Sequence, residues 1–475
     1  MLSRLQSESF DILVIGGGAS GLGIAVDAAQ RGYRTLLLEA NDFASGTSSR
    51  STKLVLGGVR YLEQLNFSLV MEALRERGIL YENAPHLVKN LGFVVPRYRW
   101  WEGPFYGVGL KLYDALAGKQ NLAPSRGLDR EETLEAIPNI EDDDLIGGIQ
   151  YHDAQFDDAR MALTLAHTAA DHGAVVLNGM EVIDLIKMDG NAGQTCGVIA
   201  RDCETDETLR ILTKVVVNAT GIFCDEVRFM DTPGAAPMTT LSQGVHIVLD
   251  RSFQPGDKAI MVPHTDDGRV LFVIPWHGTV LVGTTDTPVP QAELEPRALP
   301  EEIEFILRNA GRYLEKDPKR EDVLSVFAGL RPLVRDGESN DTKQISREHV
   351  VLVSNSGLVT LIGGKWTTYR KMAEDALVDA IQVAGLHPEP CRTETLHLHG
   401  WLDRDDPEMP EDDVFRVYGA DAALVRDLAK ENADWEKTLH PRLPYRGVHV
   451  VWAARHELAR NVEDVLARRT RSLLL

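Results

Sequence analysis

The sequence predicts an α/β chain: a doubly wound sheet domain interleaved with an antiparallel-sheet domain, followed by a helical C-terminal domain. Three observations predict it. Residues 11–40 run through a short apolar stretch, a glycine turn, a helical stripe and a second apolar stretch. Residues 238–286 place apolar side chains in alternation, the period of half-buried strands. Residues 451–469 have helical spacing and lie beyond a Pro/Asp-rich stretch at 388–412.

The opening unit can be justified residue by residue. Ile12 to Ile15 is a short apolar run suited to a strand covered on both faces. Gly16, Gly18 and Gly21 then form Gly-x-Gly-x-x-Gly. The first permits a tight turn, the second lets backbone approach a pyrophosphate, and the third lets the next helix lie close to the sheet with its first N–H groups aimed at phosphate. Leu22, Ala25, Val26 and Ala29 recur at helical spacing, Gly32 ends the helix, and Thr35 to Leu38 forms the next strand. Glu39 closes it with a carboxylate able to accept both ribose hydroxyls. Together these residues make a complete Rossmann-like dinucleotide unit. The hydroxyl-rich run Thr47, Ser48, Ser49, Ser51 and Thr52 and the pair Gly57-Gly58 follow at once. They favour a flavin dinucleotide, whose ring lies further along the same surface.

Further on, Gly92 to Pro96 reads as a strand leaving this core, and the aromatic, glycine-rich stretch 97–138 as an excursion into the second domain. Gly173 to Leu177 and Val182 to Leu185 read as strands, and Lys214 to Gly221 as a buried strand ending in a small-residue turn. Strands at 350–353 and 358–362 lead to Gly363-Gly364 and a helix over about 367–383, whose N-terminus is suited to face an anionic group. The expected division is 1–92, 145–235 and 325–387 for the cofactor domain, 93–144 and 236–324 for the substrate domain, and 388–475 for a linker and helical domain. Arg468, Arg469 and Arg471 are expected at a helix C-terminus, where cations complement the dipole.

Composition narrows the function. The chain has 475 residues, 44% hydrophobic and 25% charged, which is ordinary for a globular protein with a large core. A net charge of −21 argues against nucleic acid as a partner, because a phosphate backbone requires a basic surface. Cys196, Cys203, Cys224 and Cys391 show no metal-like spacing, so no metal is expected, and they read as reduced thiols. Residues 1–10 lack the pattern of a signal peptide, and no run reaches the roughly 20 apolar residues that span a bilayer.

The stretch from Gly16 to Leu62 resembles the FAD-dependent, respiratory glycerol-3-phosphate dehydrogenases. Further matching segments are Asn218 to Gly221, Ser242 to Val248, Phe272 to Trp276, Gly283 to Asp286, Gly329 to Leu333, Ile345 to Arg347, Gly363 to Lys371 and Val462 to Arg471. They follow the family's order across nearly the whole chain. The sequence departs from the family at Leu56, where relatives often have His, and at Ile222-Phe223, where Pro-Trp is usual. Relatives also commonly continue beyond the position of Leu475.

The resemblance implies FAD contacts at Gly16, Gly18, Gly21, Glu39, Thr47, Ser48, Ser49 and Lys53. Later in the chain it implies contacts at Gly57, Gly58, Val182, Ala219, Gly221, Gly364, Lys365, Trp366 and Thr367. It further implies oxidation of sn-glycerol 3-phosphate to dihydroxyacetone phosphate, with electrons passing to a quinone. Arg60, Tyr61, Arg331, Arg347 and Lys365 would bind the substrate, and His246, Arg331 and Lys365 would serve catalysis. The ordinary imidazole pKa, near 6.5, suits a base at neutral pH, although the proton acceptor stays open among His246 and its neighbours. A homodimer in the cytoplasm, peripheral on the inner membrane's cytoplasmic face, completes the expectation. The alternatives are an oxidase that returns electrons to oxygen and releases hydrogen peroxide, a flavin-binding module without turnover, and an amino-acid oxidase of similar fold.

Overall fold

The first strand, Phe10–Ile15, lies inside an eight-stranded sheet because all six of its residues are apolar or paired and all are buried. The structure is a computed structural model that describes all residues except 1–3, 6–7, 60–65, 189–192 and 336–347. Arg60, Tyr61 and Arg347 lie outside the described residues. Phe10–Ile15 pairs in parallel with Thr35–Leu38 on one side and with Thr208–Asn218 on the other. Thr35–Leu38 continues to Val175–Leu177, and Thr208–Asn218 to Val359–Gly363, which carries the antiparallel His349–Val353 at the edge.

Alternate residues of these strands serve two cores. Ile12, Val14, Leu37 and Val217 pack under the helices Ala19–Gln30, Asp158–Asp171 and Tyr369–Val383. Leu13, Ile15, Leu36 and Val216 face Val182, Leu185, Val198 and Ala200 of the antiparallel strands Met180–Lys187 and Thr195–Asp202. Cover on both faces is why the sequence reads as unbroken apolar runs.

The second, ten-stranded sheet is mostly antiparallel. Thr239–Asp250 sits between Thr279–Gly283 and the long strand Val323–Val334. The sheet runs on through Leu271–Trp276 and Ala259–Val262 to Val88–Arg97 and Gly147–Phe156, with one parallel join at Ala259–Val262 and Val88–Arg97. Four strands depart from the expected division: Leu54–Val55 and the start of Val88–Arg97 fall within 1–92 yet belong to the second sheet, and two more do the same further on. Gly147–Phe156 opens the segment 145–235 yet pairs with Val88–Arg97 in the second sheet, and Val323–Val334 runs into the segment 325–387 while paired with Thr239–Asp250.

The stretch 97–138 forms the helices Glu102–Ala117 and Arg130–Ala136 and the strand Arg126–Leu128, which joins the second sheet. Residues 388–412, expected as a loose linker, are strapped to the helix Phe67–Asn83 and its C-terminal end. Leu398 N–H donates to the Asn83 carbonyl at 3.0 Å, Trp401 Nε1 to Glu82 O at 3.0 Å, and the Arg404 guanidinium covers the Tyr81 ring. Beyond them Phe415, Tyr418, Val425, Val448 and Trp452 form a separate apolar core.

Candidate active site

The two sheets meet at a cavity of about 1440 Å³. On the first-sheet side its wall is largely backbone. Gly16 adopts φ +110°, and a methyl group there would come 2.6 Å from Ala219 O, so the turn fits only without a side chain. A methyl at Gly21 would overlap the Gly16 carbonyl oxygen, so Gly21 fixes how closely the helix lies against the strand. Helix Ala19–Gln30 begins with no side-chain cap of its own at Gly18 and no acid in its first turn, which suits an anion. Glu39 Oε2 accepts from Gly17 N at 2.6 Å and Oε1 from Asn41 N at 2.8 Å. Burial raises the Glu39 pKa, and those two N–H groups pull the other way.

The loop after Glu39 is tied into place by hydrogen bonds to distant parts of the chain. Thr47 Oγ1 donates to Leu330 O at 2.6 Å, Ser48 Oγ accepts from Ala19 N at 2.9 Å, and Trp366 Nε1 donates to Ser48 O at 2.8 Å. Gly364, at φ +82°, follows Val359–Gly363 and leads directly to Lys365, Trp366 and Thr367 at the cavity edge.

The second-sheet side is made of side chains. His246 sits opposite Gly283 on one neighbouring strand and Phe327 on the other. A methyl at Gly283 would overlap the imidazole, and the Phe327 ring stacks on it at 4.9 Å. His246 Nε2 meets Thr52 Oγ1 at 2.9 Å, while Nδ1 is buried without a hydrogen-bond partner among the described residues. Burial first, then the charges of Lys53 and Arg331, hold the imidazole pKa well below its ordinary value, so the ring is neutral. Arg331 lies opposite Ser242, and its guanidinium donates to Thr284 Oγ1 and Thr285 O, each at 3.1 Å. It occupies the space above Gly244, where a methyl would overlap Nη2.

Of the expected site residues, Gly16, Gly18, Glu39, Thr47, Ser48, Gly58, Val182 and Ala219 border this one cavity, as do Gly221, His246, Arg331, Gly364, Lys365, Trp366 and Thr367. Four others lie behind its wall. Gly21 acts through helix packing, and Ser49 is buried with its carbonyl held by Lys53 Nζ at 2.6 Å. Lys53 is fully buried on Asp158 at 2.7 Å; burial lowers its pKa to about 8, with Asp158 opposing that shift. Gly57 gives its N–H to Asp153, and a methyl there would overlap Tyr113 and Leu74. The departures Leu56, Ile222 and Phe223 all border the cavity. So do Arg50, Arg269 and Asp286, which sequence reasoning did not single out. Asp286 stands in the quoted segment Gly283 to Asp286, but Arg269 follows a Gly turn that gives no signal.

Residues 11–370 match the FAD-dependent oxidoreductase family, and residues 358–475 match the C-terminal domain of alpha-glycerophosphate oxidase. The mitochondrial glycerol-3-phosphate dehydrogenase of Homo sapiens is 42% identical over 504 residues, covering all of this chain and 69% of the relative. That of Arabidopsis thaliana is 40% identical over 513 residues, covering all of this chain and 81% of the relative. The FAD-complexed glycerol-3-phosphate dehydrogenase of Bacillus halodurans superposes with a TM-score of 0.78 at 33% identity, over 99% of this chain and 88% of that one. The chain belongs to the FAD-dependent glycerol-3-phosphate dehydrogenase family.

FAD is the cofactor of this family, and the residues present fit it. The side-chain-free cradle at Gly16, the helix start at Gly18 and the half-buried Glu39 are what a dinucleotide requires. Gly16, Gly18 and Glu39 would hold its pyrophosphate and ribose, and Thr47, Ser48, Gly364 and Thr367 the part nearer the ring.

Proposed function

We propose that this chain oxidises the secondary alcohol of sn-glycerol 3-phosphate to dihydroxyacetone phosphate, that His246 takes the hydroxyl proton, and that the electrons pass to a membrane quinone. One observation carries the reading: a neutral, buried imidazole borders the cofactor cavity together with Arg331 and Lys365. Bound FAD supplies the acceptor for the hydride from the carbinol carbon. Arg331 offers a planar fork to the phosphate monoester, close to a dianion at neutral pH, and Lys365 a second positive charge. The family resemblance implies that Arg60, Tyr61 and Arg347, which lie outside the described residues, would bind the same substrate. A dianion beside Arg331 would offset the smallest of the three causes that hold down the His246 pKa, after burial and Lys53.

The test is anaerobic mixing of the FAD-loaded protein with glycerol 3-phosphate. Loss of absorbance at about 450 nm is expected, and His246→Asn is expected to slow it about 10²- to 10⁴-fold with FAD still bound. An unchanged rate removes His246 from the base role, and no bleaching of the loaded wild type ends the substrate assignment. The match of residues 358–475 to a glycerophosphate oxidase domain keeps one rival acceptor, oxygen. Fast peroxide formation with no quinone reduction would favour it.

We place quinone and lipid contact at the helix Glu102–Ala117 and its neighbour. Trp100 is 79% exposed, Val108 70% and Met71 51%, and Tyr106, Val108 and Leu112 also border the cavity. Such a face suits a peripheral apolar contact, and no helix among the described residues is long and apolar enough to cross a membrane. We further propose a homodimer on the cytoplasmic face; the four cysteines, none in a disulfide, fit a reducing compartment. Vesicle co-sedimentation and light scattering test these two points.

A further inference from the structure

Arg468 and Arg469 close the helix Asp464–Arg469, the helix C-terminus expected for them, yet with Arg471 they are 4%, 2% and 2% exposed. They are consumed by buried carboxylates far away in sequence. Arg469 grips both oxygens of Asp42, with Nη2 to Oδ1 at 2.9 Å, and also donates to Glu457 O at 2.6 Å. Arg468 spans Asp42 and Asp464, the latter at 2.7 Å. Arg471 reaches Asp157 at 3.0 Å, Asp158, and the Ser49 carbonyl at 3.3 Å. Lys53 Nζ takes the same Ser49 carbonyl and Asp158, and Ser51 Oγ donates to Asp158 at 2.6 Å.

These contacts bracket one loop. Asp42 is its start, Ser49 its middle and Lys53 its end, and between them Ala44, Ser45, Gly46, Thr47 and Ser48 face the cavity. The loop is also strained at both ends: Ala44 has φ +58° and Lys53 φ +62°, left-handed values that a residue with a Cβ keeps only when its surroundings impose them. Among the described residues, none of 464–475 borders the cavity, so the arginines act through the loop. Asp42, Asp157, Asp158 and Asp464 face Arg468, Arg469, Arg471 and Lys53, four buried charges of each sign, with the exposed Glu463 at 3.5 Å from Arg468 on the rim. Burial pushes the Asp42 pKa up, but Arg469 and Arg468 outweigh it and keep the carboxylate ionised.

We propose that residues 464–475 are a working part of the cofactor site: a charge-balanced clamp in which Arg468, Arg469 and Arg471 hold loop 42–53 in its FAD-binding shape and so set how fast FAD is lost. These are positioning residues. The proposal rests on the FAD site and not on the identity of the substrate. Loss of one arginine leaves the buried cluster one positive charge short and frees the loop to relax its strained ends. Because FAD and the clamp both favour one loop shape, each must stabilise the other.

The experiment is release of FAD from diluted holoenzyme, followed by the recovery of flavin fluorescence without substrate. Arg469→Met and Arg471→Met are expected to release FAD on the order of tenfold faster or more. Arg469→Met combined with Asp42→Asn, which removes one charge of each sign, is expected to return close to the wild-type rate. Arg160→Met breaks the equally buried Arg160–Glu457 pair, which ties the same C-terminal unit to the helix Asp158–Asp171. It is expected to lower the melting temperature without speeding release, and equal acceleration by Arg160→Met would reduce the clamp to general stability and overturn the proposal. Unchanged release in both single arginine variants would also overturn it. Should those variants fail to fold, trypsin digestion of the wild type decides: cleavage after Arg468, Arg469 and Arg471 is expected in FAD-stripped protein and not in holoenzyme, and equal protection in both rejects the clamp.

Discussion

The first-sheet wall of the cavity is backbone shaped by glycines within residues 10–40, whereas the second-sheet wall is assembled from side chains delivered by separate strands, with Ser242 and His246 on one, Thr284 just beyond another and Arg331 on a third. The difference lies in what each wall tolerates. At Gly16 and Gly21 the backbone wall has no room for an added atom, because the carbonyl facing each cannot step aside. A side-chain wall depends on register, since a slip of one residue would turn His246 and Arg331 to the opposite face together.

The largest effect is therefore expected at the first wall. Gly21→Val places its new carbon into the Gly16 carbonyl, a backbone atom that moves only if the helix leaves the strand. A cost of about 3 kcal/mol, the upper range for overpacking, corresponds to about a hundredfold in FAD affinity. Protein that binds FAD with wild-type affinity by titration would show that the wall is more pliant than its packing implies.

The same contrast explains what could be read from the sequence. The glycine unit was legible because its parts are neighbours in the chain and each has one physical task. The histidine strand was legible through its alternation, and Gly363-Gly364 through its place between a strand and a helix. Lys53, expected at the cofactor, has its side chain behind the cavity wall, and nothing local reports that Asp158, 105 residues away, takes its charge into the core. Arg468 and Arg469 look like surface cations until Asp42, more than 400 residues earlier, is placed beside them. Burial of charge is decided by tertiary partners, and a one-dimensional pattern does not carry them.

At the second wall a milder outcome is expected. Gly244→Ala meets the far end of the Arg331 side chain, which can shift where a carbonyl cannot. Moving that guanidinium is expected to raise KM for the proposed substrate about tenfold, with kcat and FAD content nearly unchanged. Equal losses in kcat and in FAD content would mean that the two walls are one mechanical unit.

The smallest effect belongs to a contact remote from both walls, and it gauges how far the C-terminal unit is held by charge. His399 lies between Asp171, at 2.7 Å from Nδ1, and Asp421, at 2.8 Å from Nε2, with the neutral His167 ring stacked on it at 4.6 Å. The hydrogen bond to Asp421 leads in raising its pKa to about 9, burial opposing and Asp171 assisting. The folded value is above the ordinary value of about 6.5, so the stabilisation is fully present below pH 6.5 and is lost as pH rises through 9. The imidazole is partly exposed, so solvent screening limits the contribution to about 1 kcal/mol or less. Thermal unfolding of the holoenzyme should therefore shift down modestly between these two pH values. His399→Asn should remove that part of the slope while leaving FAD release unchanged, because the contact joins the C-terminal unit to the helix Asp158–Asp171 and not to loop 42–53. An unaltered slope in the variant would assign the pH dependence to other buried groups.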